Sequence, residues 1–301
     1  MPRFTKILLP TDFSECSDQA LDYGALLAEQ FDAELHLLHA LILMHDDPAD
    51  PERRFPEETA LLDRLEQVTN TQLGAIAGRE NVAELRVREI RRRGFRASLV
   101  ILDYAREAGA DLIVMGTHGR RGPMRWFLGS VAEEVLRHAT CPVLAVRERE
   151  GGQPLHRIRT VLVPIDFSAA SVESVRLAAE LAGLYEAGLT LLHVVNVPTV
   201  PSMYGQVFPV DTAPIAERAA GELRELARRA GLGDEDAEVV VADGWPAHAI
   251  VDHARRARCG LIVMPPRTSR ERGLLGGTTD LVLRRTPCPV LTVPPARPAP
   301  E

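Results

Sequence analysis

The sequence lacks several features that mark large classes of protein. Its 301 residues contain four cysteines but no CxxC pair, which argues against a zinc ribbon or a disulfide framework. No apolar run reaches the length of a membrane span, and the N-terminal residues show no signal-peptide pattern. A net charge of −7 and a pI near 5.8 argue against broad binding to nucleic acid. We therefore expect a reduced, cytoplasmic protein with no nucleic-acid and no membrane partner.

Catalytic motifs of several common enzyme classes are missing as well. The sequence has no GxxxxGK[ST] phosphate loop, no GxSxG nucleophile elbow and no HExxH zinc motif. Phosphoryl transfer needs a metal-binding carboxylate and a group that positions the nucleophile, and no dedicated base is marked here. The sequence therefore favours ligand binding over catalysis, although slow hydrolysis stays open because positioning alone accelerates a reaction.

What the sequence does contain is an internal repeat. The segment Ile7–Ser14 (ILLPTDFS) returns 154 residues later as Val161–Ser168 (VLVPIDFS). Cys141–Leu144 (CPVL) returns 147 residues later as Cys288–Leu291. The polar segment 147–154, which contains Gly-Gly and Pro, is typical of a linker. At this chain length the repeat predicts two domains.

Each copy alternates apolar runs of strand type with stretches of helical period. In the first copy we predict strands near 6–10, 33–41, 83–90, 111–115 and 142–147, and helices near 14–30, 57–78, 95–109 and 129–138. Uninterrupted apolar runs such as Leu112–Met115 suit parallel strands buried on both faces. The predicted fold class is α/β: two tandem domains, 1–150 and 151–301, each a doubly wound five-stranded parallel sheet of Rossmann-like type.

One segment of the first copy indicates chemistry, namely Gly116-x2-Gly119-x9-Gly129-Ser130. It follows the run Leu112–Met115 and leads into a helical pattern that begins at Val131. Glycines in a strand–loop–helix connection leave backbone N–H groups accessible, and the helix N-terminus favours negative charge. The segment therefore predicts a phosphate site. Its arginines are either phosphate partners or a solvated turn, and Arg120 is the first candidate among Arg120, Arg121 and Arg125.

Together with Pro10–Ser14 (PTDFS) and Cys141–Leu144, this spacing resembles the universal stress protein family over nearly the whole chain, in two copies. The resemblance implies an adenine nucleotide alpha hydrolase-like fold and binding of ATP, with or without Mg²⁺. It also implies that the two domains pair through their last strands within the chain, and a further homodimer stays open. The contact residues that it implies are Pro10, Asp12, Ala40, Met115, Gly116, His118, Gly119, Arg120, Gly129, Ser130 and Val131.

Three of these residues have a structural alternative. Asp12 contacts the nucleotide, caps the first helix or does both, because Asp12-Phe-Ser-Glu has capping-box spacing. Ser130 either donates to a phosphate or caps its own helix, because Ser130-Val-Ala-Glu has the same spacing. Ala40 either faces the adenine or is an ordinary core alanine. The flexible setting of His118 leaves it free to face the phosphates.

Two matched pairs of residues are expected to be structural. His39 and His193 each stand without a second ligand at metal spacing, so a satisfied structural histidine is the simpler interpretation. Cys141 and Cys288 precede the last strands of the two copies and have no cationic neighbour in sequence. We therefore expect structural thiols and not redox sensors.

The second copy departs from the glycine spacing. Pro265 stands where the first copy has Gly116, and Pro266 follows it. Proline has no N–H to offer a phosphate, and its φ is fixed. We therefore expect one competent ATP site per chain, in residues 1–150, with a degenerate motif in residues 151–301.

Three functions remain after the sequence has been considered. The first is an ATP-binding stress-response regulator that acts through its conformation and its protein partners. The second is a weak ATPase or nucleotidyl-transfer enzyme, and the third is a structural or chaperone-like interaction protein whose glycines only form turns. The complete glycine spacing and the missing catalytic partners favour the first.

Overall fold

The computed structural model describes residues 4–42, 58–118, 128–147, 158–196, 212–265 and 277–294. The chain divides into two compact units, Met1–Pro154 (unit 1) and Leu155–Glu301 (unit 2). Each unit is described by itself.

Strands and helices alternate along unit 1. They are β1 (Lys6–Pro10), α1 (Glu15–Phe31), β2 (Glu34–Ile42), α2 (Glu58–Ala77), β3 (Val87–Gly94), α3 (Ala97–Ala108), β4 (Leu112–Gly116), α4 (Ser130–His138) and β5 (Val143–Val146). The strands follow the order β3-β2-β1-β4-β5, and each neighbouring pair is parallel. The crossover helices cover the sheet, which explains why β4 and β5 are buried along almost their whole length.

Local sequence explains where helices of unit 1 begin and end. Ser14 is the N-cap of α1, and its side chain accepts a hydrogen bond from the N–H of Ser17. Asp32 ends the helix in the left-handed region, with φ of 49°. Gly109 ends α3 in the same region, where a residue without a Cβ carries no steric cost.

Unit 2 repeats this architecture. Its elements are β6 (Thr160–Ile165), α5 (Ala169–Leu184), β7 (Gly188–Val195), α6 (Ala213–Arg229), β8 (Glu238–Asp243), α7 (Pro246–Arg256), β9 (Leu261–Met264), α8 (Gly277–Arg285) and β10 (Val290–Thr292). The strand order is β10-β9-β6-β7-β8, again parallel throughout. Two α/β units with doubly wound parallel sheets confirm the predicted fold class.

One predicted element was misplaced. The third strand was expected near 83–90, but β3 covers Val87–Gly94, and the residues before it form turns around the fully buried Val82. β3 lies at one end of the strand order of unit 1, and most of its side chains are exposed. An arginine-rich strand of this kind lacks the apolar run on which the prediction depended.

Candidate functional site

The predicted site residues of β1 and β2 lie together at the carboxyl ends of these strands. Pro10 pairs with Leu38, and the N–H of Thr11 donates to the Leu38 carbonyl at 2.8 Å. Asp12 follows the end of β1 by two residues, and Ala40 lies in β2 two residues beyond the last pair of this register. β1 also pairs with β4, and strand order reverses between these two strands. Parallel α/β sheets bind their ligands at such a reversal.

Hydrogen bonds join the end of β4 to the beginning of α4. The N–H of Gly129 donates to the Thr117 carbonyl at 2.8 Å, and the N–H of Thr117 donates to the Val146 carbonyl at 2.8 Å. The two ends of the connection 119–127 are therefore held at one place. As a result the N-terminus of α4 lies at the carboxyl end of β4, where the sequence predicted it.

The first turn of α4 points its amides away from the helix. The first intrahelical bond runs from the N–H of Glu133 to the carbonyl of Gly129, at 2.9 Å. The N–H groups of Ser130, Val131 and Ala132 precede that bond, so helix geometry gives them no acceptor within the helix. Such amides, at the positive end of the helix dipole, suit an anion.

Gly116 and Gly129 are both required by close packing. A Cβ on Gly116 would lie 2.8 Å from Sγ and 3.0 Å from the backbone C and O of Cys16, in the first turn of α1. A Cβ on Gly129 would lie 3.0 Å from the Thr117 carbonyl oxygen. Both glycines therefore allow a helix to approach the end of β4. The sequence did not indicate this second role, because Gly116 and Cys16 are far apart in the chain.

Asp12 is not the N-cap of α1, so the capping role that its spacing in the sequence allowed is wrong. Ser14 is the N-cap, and Oδ1 of Asp12 accepts hydrogen bonds from the Ser14 N–H at 3.2 Å and from the Ser14 hydroxyl at 2.6 Å. The carboxylate thus fixes the residue that caps the helix. The same bonds hold the half-buried carboxylate in one orientation at the sheet edge.

Ser130 does not cap its helix either. The N-cap of α4 is Gly129, with φ of −63° and ψ of 143°, and Ser130 is the first helical residue, with an exposed side chain. Gly129 and Ser130 are adjacent and both residue types form N-caps, so sequence spacing alone could not select the cap. The exposed hydroxyl of Ser130 is accessible to a ligand.

The remaining predicted site residues differ in accessibility. Pro10 and Met115 are buried, whereas Ala40, Gly116, His118, Gly129 and Val131 are half-buried. Nδ1 of His118 lies 2.9 Å from the hydroxyl of the buried Thr117. Gly119 and Arg120, like Arg121 and Arg125, lie outside the described residues.

His39 supports the site as a structural residue, as predicted. Its Nδ1 lies 2.7 Å from the Thr11 carbonyl, which can only accept, so Nδ1 carries the proton. The ring stacks on Phe13, with centroids 4.5 Å apart. Phe13 itself has φ of 61°, a conformation that side chains with a Cβ rarely adopt. Sequence reasoning missed Phe13, since nothing in its residue type indicates a positive φ.

Unit 2 repeats this arrangement. Phe167 has φ of 58°, its ring lies 4.6 Å from that of His193, and Nδ1 of His193 donates to the Ile165 carbonyl at 2.8 Å. Oδ1 of Asp166 accepts from the N–H of Ser168 at 3.0 Å. The same arrangement of an aspartate, a phenylalanine and a histidine therefore supports the end of the first strand in both units.

The cysteines have the properties of structural thiols. Burial raises the pKa of the Cys141 thiol to about 11 and that of Cys259 to about 12. Cys288 is also buried. Thiols with such values stay protonated at neutral pH and are weak nucleophiles, which agrees with the structural role expected for Cys141. The burial of Cys288 agrees with the structural role expected for it.

The described residues contain neither a cluster of metal-ligand side chains nor a helix suited to a membrane. Within them, no three His, Cys, Asp or Glu side chains are grouped as ligands of a metal ion. In the same parts of the chain, no helix combines the length and apolar character that a membrane crossing needs.

Comparison with known proteins identifies the relatives of both units. A model of the universal stress protein family matches residues 3–147 and again residues 157–294. A universal stress protein of Methanocaldococcus jannaschii is 32% identical over 148 residues, 48% of this chain and 83% of that protein. One of Mycolicibacterium smegmatis is 26% identical over 301 residues, 96% of this chain and 97% of that protein. The crystal structure of a universal stress protein from Archaeoglobus fulgidus matches with a TM-score of 0.72 at 21% identity, over 97% of this chain and 98% of that chain.

Proposed function

Because this chain belongs to the universal stress protein family and contains the family's domain twice, we propose that it is an ATP-binding regulator. In this proposal unit 1 binds the nucleotide, and the bound state changes a surface that partner proteins recognise during the stress response. The main support is the connection from β4 to α4, which the Gly129–Thr117 hydrogen bond closes.

The phosphates are assigned to the N-terminus of α4. Three successive amides there lack intrahelical acceptors, and the Ser130 hydroxyl is exposed beside them. A hydrogen bond to a charged group contributes about 1.5–3 kcal/mol, so amides directed at a triphosphate supply a large part of the affinity. We propose that Gly119, Arg120 and His118 also contact the triphosphate, and that Mg²⁺ binds to the phosphate oxygens.

The adenosine is assigned to the neighbouring strand ends. Asp12 offers a carboxylate whose orientation is fixed by Ser14, and carboxylate oxygens accept hydrogen bonds from ribose hydroxyls. Ala40, near the carboxyl end of β2, has a small, half-buried side chain that leaves room for a flat base. The backbone at Pro10, Met115 and Gly116 completes the floor of this site.

The sequence favours regulation over rapid hydrolysis, because it lacks the groups that rapid hydrolysis needs. It has no phosphate-loop lysine, and no residue is marked as a base for an attacking water. A ligand that binds only the folded state stabilises it by about 2.7 kcal/mol at a hundredfold excess over Kd. ATP occupancy is therefore able to change the stability of this edge of unit 1 without any turnover.

The test is the variant Ser130→Pro. Proline is well tolerated at the first helical position, and the extended ψ of 143° at Gly129 suits a residue that precedes proline. The substitution removes one amide and the hydroxyl from the phosphate site and leaves the helix intact. We expect ATP to bind about 10- to 100-fold more weakly in equilibrium dialysis, with an unchanged melting temperature of the ATP-free protein.

Ser130→Ala is the matched control, because it removes the hydroxyl and keeps the amide. Its ATP affinity should lie between those of the parent and Ser130→Pro. If Ser130→Pro folds and binds ATP as tightly as the parent, the N-terminus of α4 is not the phosphate site and the proposal fails.

A further inference from the structure

The sheet of unit 1 has an open edge at β3. This strand is the last in its strand order, and among the described residues only β2 pairs with it. The Leu35 N–H donates to the Arg86 carbonyl at 2.8 Å, and residues of a parallel ladder bond to one neighbouring strand alternately. Even-numbered residues of β3 therefore bond to β2. The odd-numbered residues direct their N–H and C=O groups outward and form what we call the β3 edge: Val87, Glu89, Arg91 and Arg93.

β3 is rich in positive charge, although the chain as a whole is negative. The strand contains four arginines and one glutamate, all exposed, in a chain with a net charge of −7. Successive side chains of a strand point to opposite faces. Arg92 pairs with Glu107 of α3, and Arg93 pairs with Glu66 of α2. Each face of the sheet thus carries two arginines of β3.

Arg88 and Arg91 differ from the other two arginines of this strand. Neither forms an ion pair with a carboxylate of the described residues, whereas Arg92 and Arg93 each bind a helix of unit 1. Arg88 lies on the same face as Arg92, and Arg91 lies on the same face as Arg93. One unpaired guanidinium is therefore available on each face of the β3 edge.

The matched strand of unit 2 indicates that the fold does not require these arginines. β8 also lies at the end of its strand order and pairs with β7 in parallel. Its sequence, EVVVAD, has two carboxylates and no arginine. Charge of either sign protects an edge strand against pairing with copies of itself. Protection alone therefore explains a charged edge but not four arginines.

An exposed apolar side chain follows the β3 edge. Phe95 comes directly after the last residue of β3 and has 78% of its surface exposed. The neighbouring residue of β2 at this end is Ile42, which pairs with Gly94 and is also exposed. A strand added to the edge would bury apolar surface here if it carried an apolar residue at that end.

We propose that the β3 edge binds an extended, acidic segment of a partner protein as an added strand. The backbone of the segment bonds to the outward N–H and C=O groups, and side chains that lie directly opposite share a face. Arg88 and Arg91 are three residues apart on opposite faces, so the segment should carry two carboxylates three residues apart. A nucleic acid has no amides and carbonyls at strand spacing, and the net charge of the chain repels a long polyanion.

The test uses a fluorescein-labelled peptide of eight residues with both ends blocked. It consists of valine and threonine, with glutamate at the third and sixth positions and phenylalanine at both ends. We expect a saturable rise in fluorescence anisotropy at low salt, with a Kd below about 100 μM. One control peptide has glutamine in place of glutamate, and another has proline in place of valine and cannot complete a ladder. Each control should bind about tenfold more weakly.

Two double variants separate the β3 edge from general charge. Arg88→Gln with Arg91→Gln should weaken binding of the acidic peptide about tenfold. Arg218→Gln with Arg224→Gln removes the same charge from exposed positions of α6 and should leave binding unchanged. Phe95→Ser should weaken binding about threefold, because it removes the apolar contact at the end of the edge.

Hydrogen exchange of the wild-type protein, followed by NMR, shows where the peptide binds. At saturation the peptide should slow exchange of the outward amides of Glu89, Arg91 and Arg93 and leave the amides of β8 unchanged. All these measurements are made without nucleotide, so they do not depend on the ATP site that Ser130→Pro tests.

Four results would overturn the proposal. They are no saturable binding of the peptide up to about 1 mM, equal weakening by the two double variants, and unchanged exchange of the outward amides at saturation. The fourth is tighter binding, through Arg88 and Arg91, of a single-stranded oligonucleotide or of vesicles of anionic lipid than of the peptide.

Discussion

The two units share one architecture and differ at one edge of the sheet. In both, a phenylalanine with positive φ packs against a histidine that is hydrogen-bonded to a carbonyl at the end of the first strand, and an aspartate accepts hydrogen bonds from the residue before the first helix. Only unit 1 has Gly116 and its close contact with Cys16, where unit 2 has Pro265 and Ala170. The features that both units keep support the end of the first strand, whereas the features found only in unit 1 lie where we propose that the phosphates bind.

We expect the largest effect on stability from a substitution that adds a side chain at Gly116 of unit 1. Gly116→Ala forces a Cβ against the sulfur and backbone of Cys16, so we expect a loss of about 3 kcal/mol of unfolding free energy in urea denaturation. Gly74→Ala is the control, because a Cβ there meets no atom within 4 Å and alanine favours a helix.

Cys16→Ala added to Gly116→Ala introduces at position 16 the alanine that unit 2 has at the matched position 170. It removes the closest of the clashing atoms, the sulfur, so the double variant should recover part of the lost stability. Equal stability of the parent and Gly116→Ala would show that the tight contact does not constrain this position.

The shared histidines should matter to a similar degree in the two units. His39→Ala and His193→Ala each remove a ring contact and a hydrogen bond to a strand carbonyl. We expect each to lose about 2 kcal/mol of unfolding free energy in urea denaturation. A large loss for one variant and none for the other would contradict the view that this arrangement belongs to the fold.

The smallest expected effect is a change of the unfolding free energy with pH that arises from a residue pair present only in unit 1. His36 is buried, with its Nε2 3.1 Å from Glu34 and its Nδ1 2.9 Å from the Tyr104 hydroxyl. The hydrogen bond from His36 lowers the pKa of Glu34 below the usual value of 4.5 for a glutamate side chain. Unit 2 has Gly188 and Thr190 in place of the two strand residues.

The direction of this acid effect follows from the lowered pKa. Stabilisation by ionised Glu34 is present above the unfolded pKa near 4.5 and is lost as the pH falls through the lower, folded-state value. Glu34→Gln should therefore be less stable than the parent at neutral pH and lose less on acidification below about 4.5, as followed by urea unfolding at several pH values. Identical pH profiles of parent and variant would exclude the effect.

Apolar periodicity and the repeat were sufficient to predict the fold, because parallel strands buried on both faces have uninterrupted apolar runs such as Leu112–Met115. They misplaced β3, whose arginines face outward at the end of the strand order. Capping-box spacing allowed Asp12 and Ser130 as alternative helix caps, whereas the caps are Ser14 and Gly129.

The candidate site was predicted less completely than the fold. The glycine spacing located the strand–loop–helix connection, because that connection is local in sequence. It could not indicate that Gly116 packs against Cys16, or that Phe13 adopts a positive φ, since both depend on contacts between distant segments and on backbone geometry.

The central claim is that one unit of this chain binds ATP and the other does not. Equilibrium dialysis of the wild-type protein against radiolabelled ATP measures it most directly, as the number of nucleotides bound per chain at saturation. We predict a single ATP per chain, which Ser130→Pro weakens and Gly277→Pro, at the matched first residue of α8, leaves unchanged. Two ATP molecules bound per chain with equal affinity, or none, would contradict the claim.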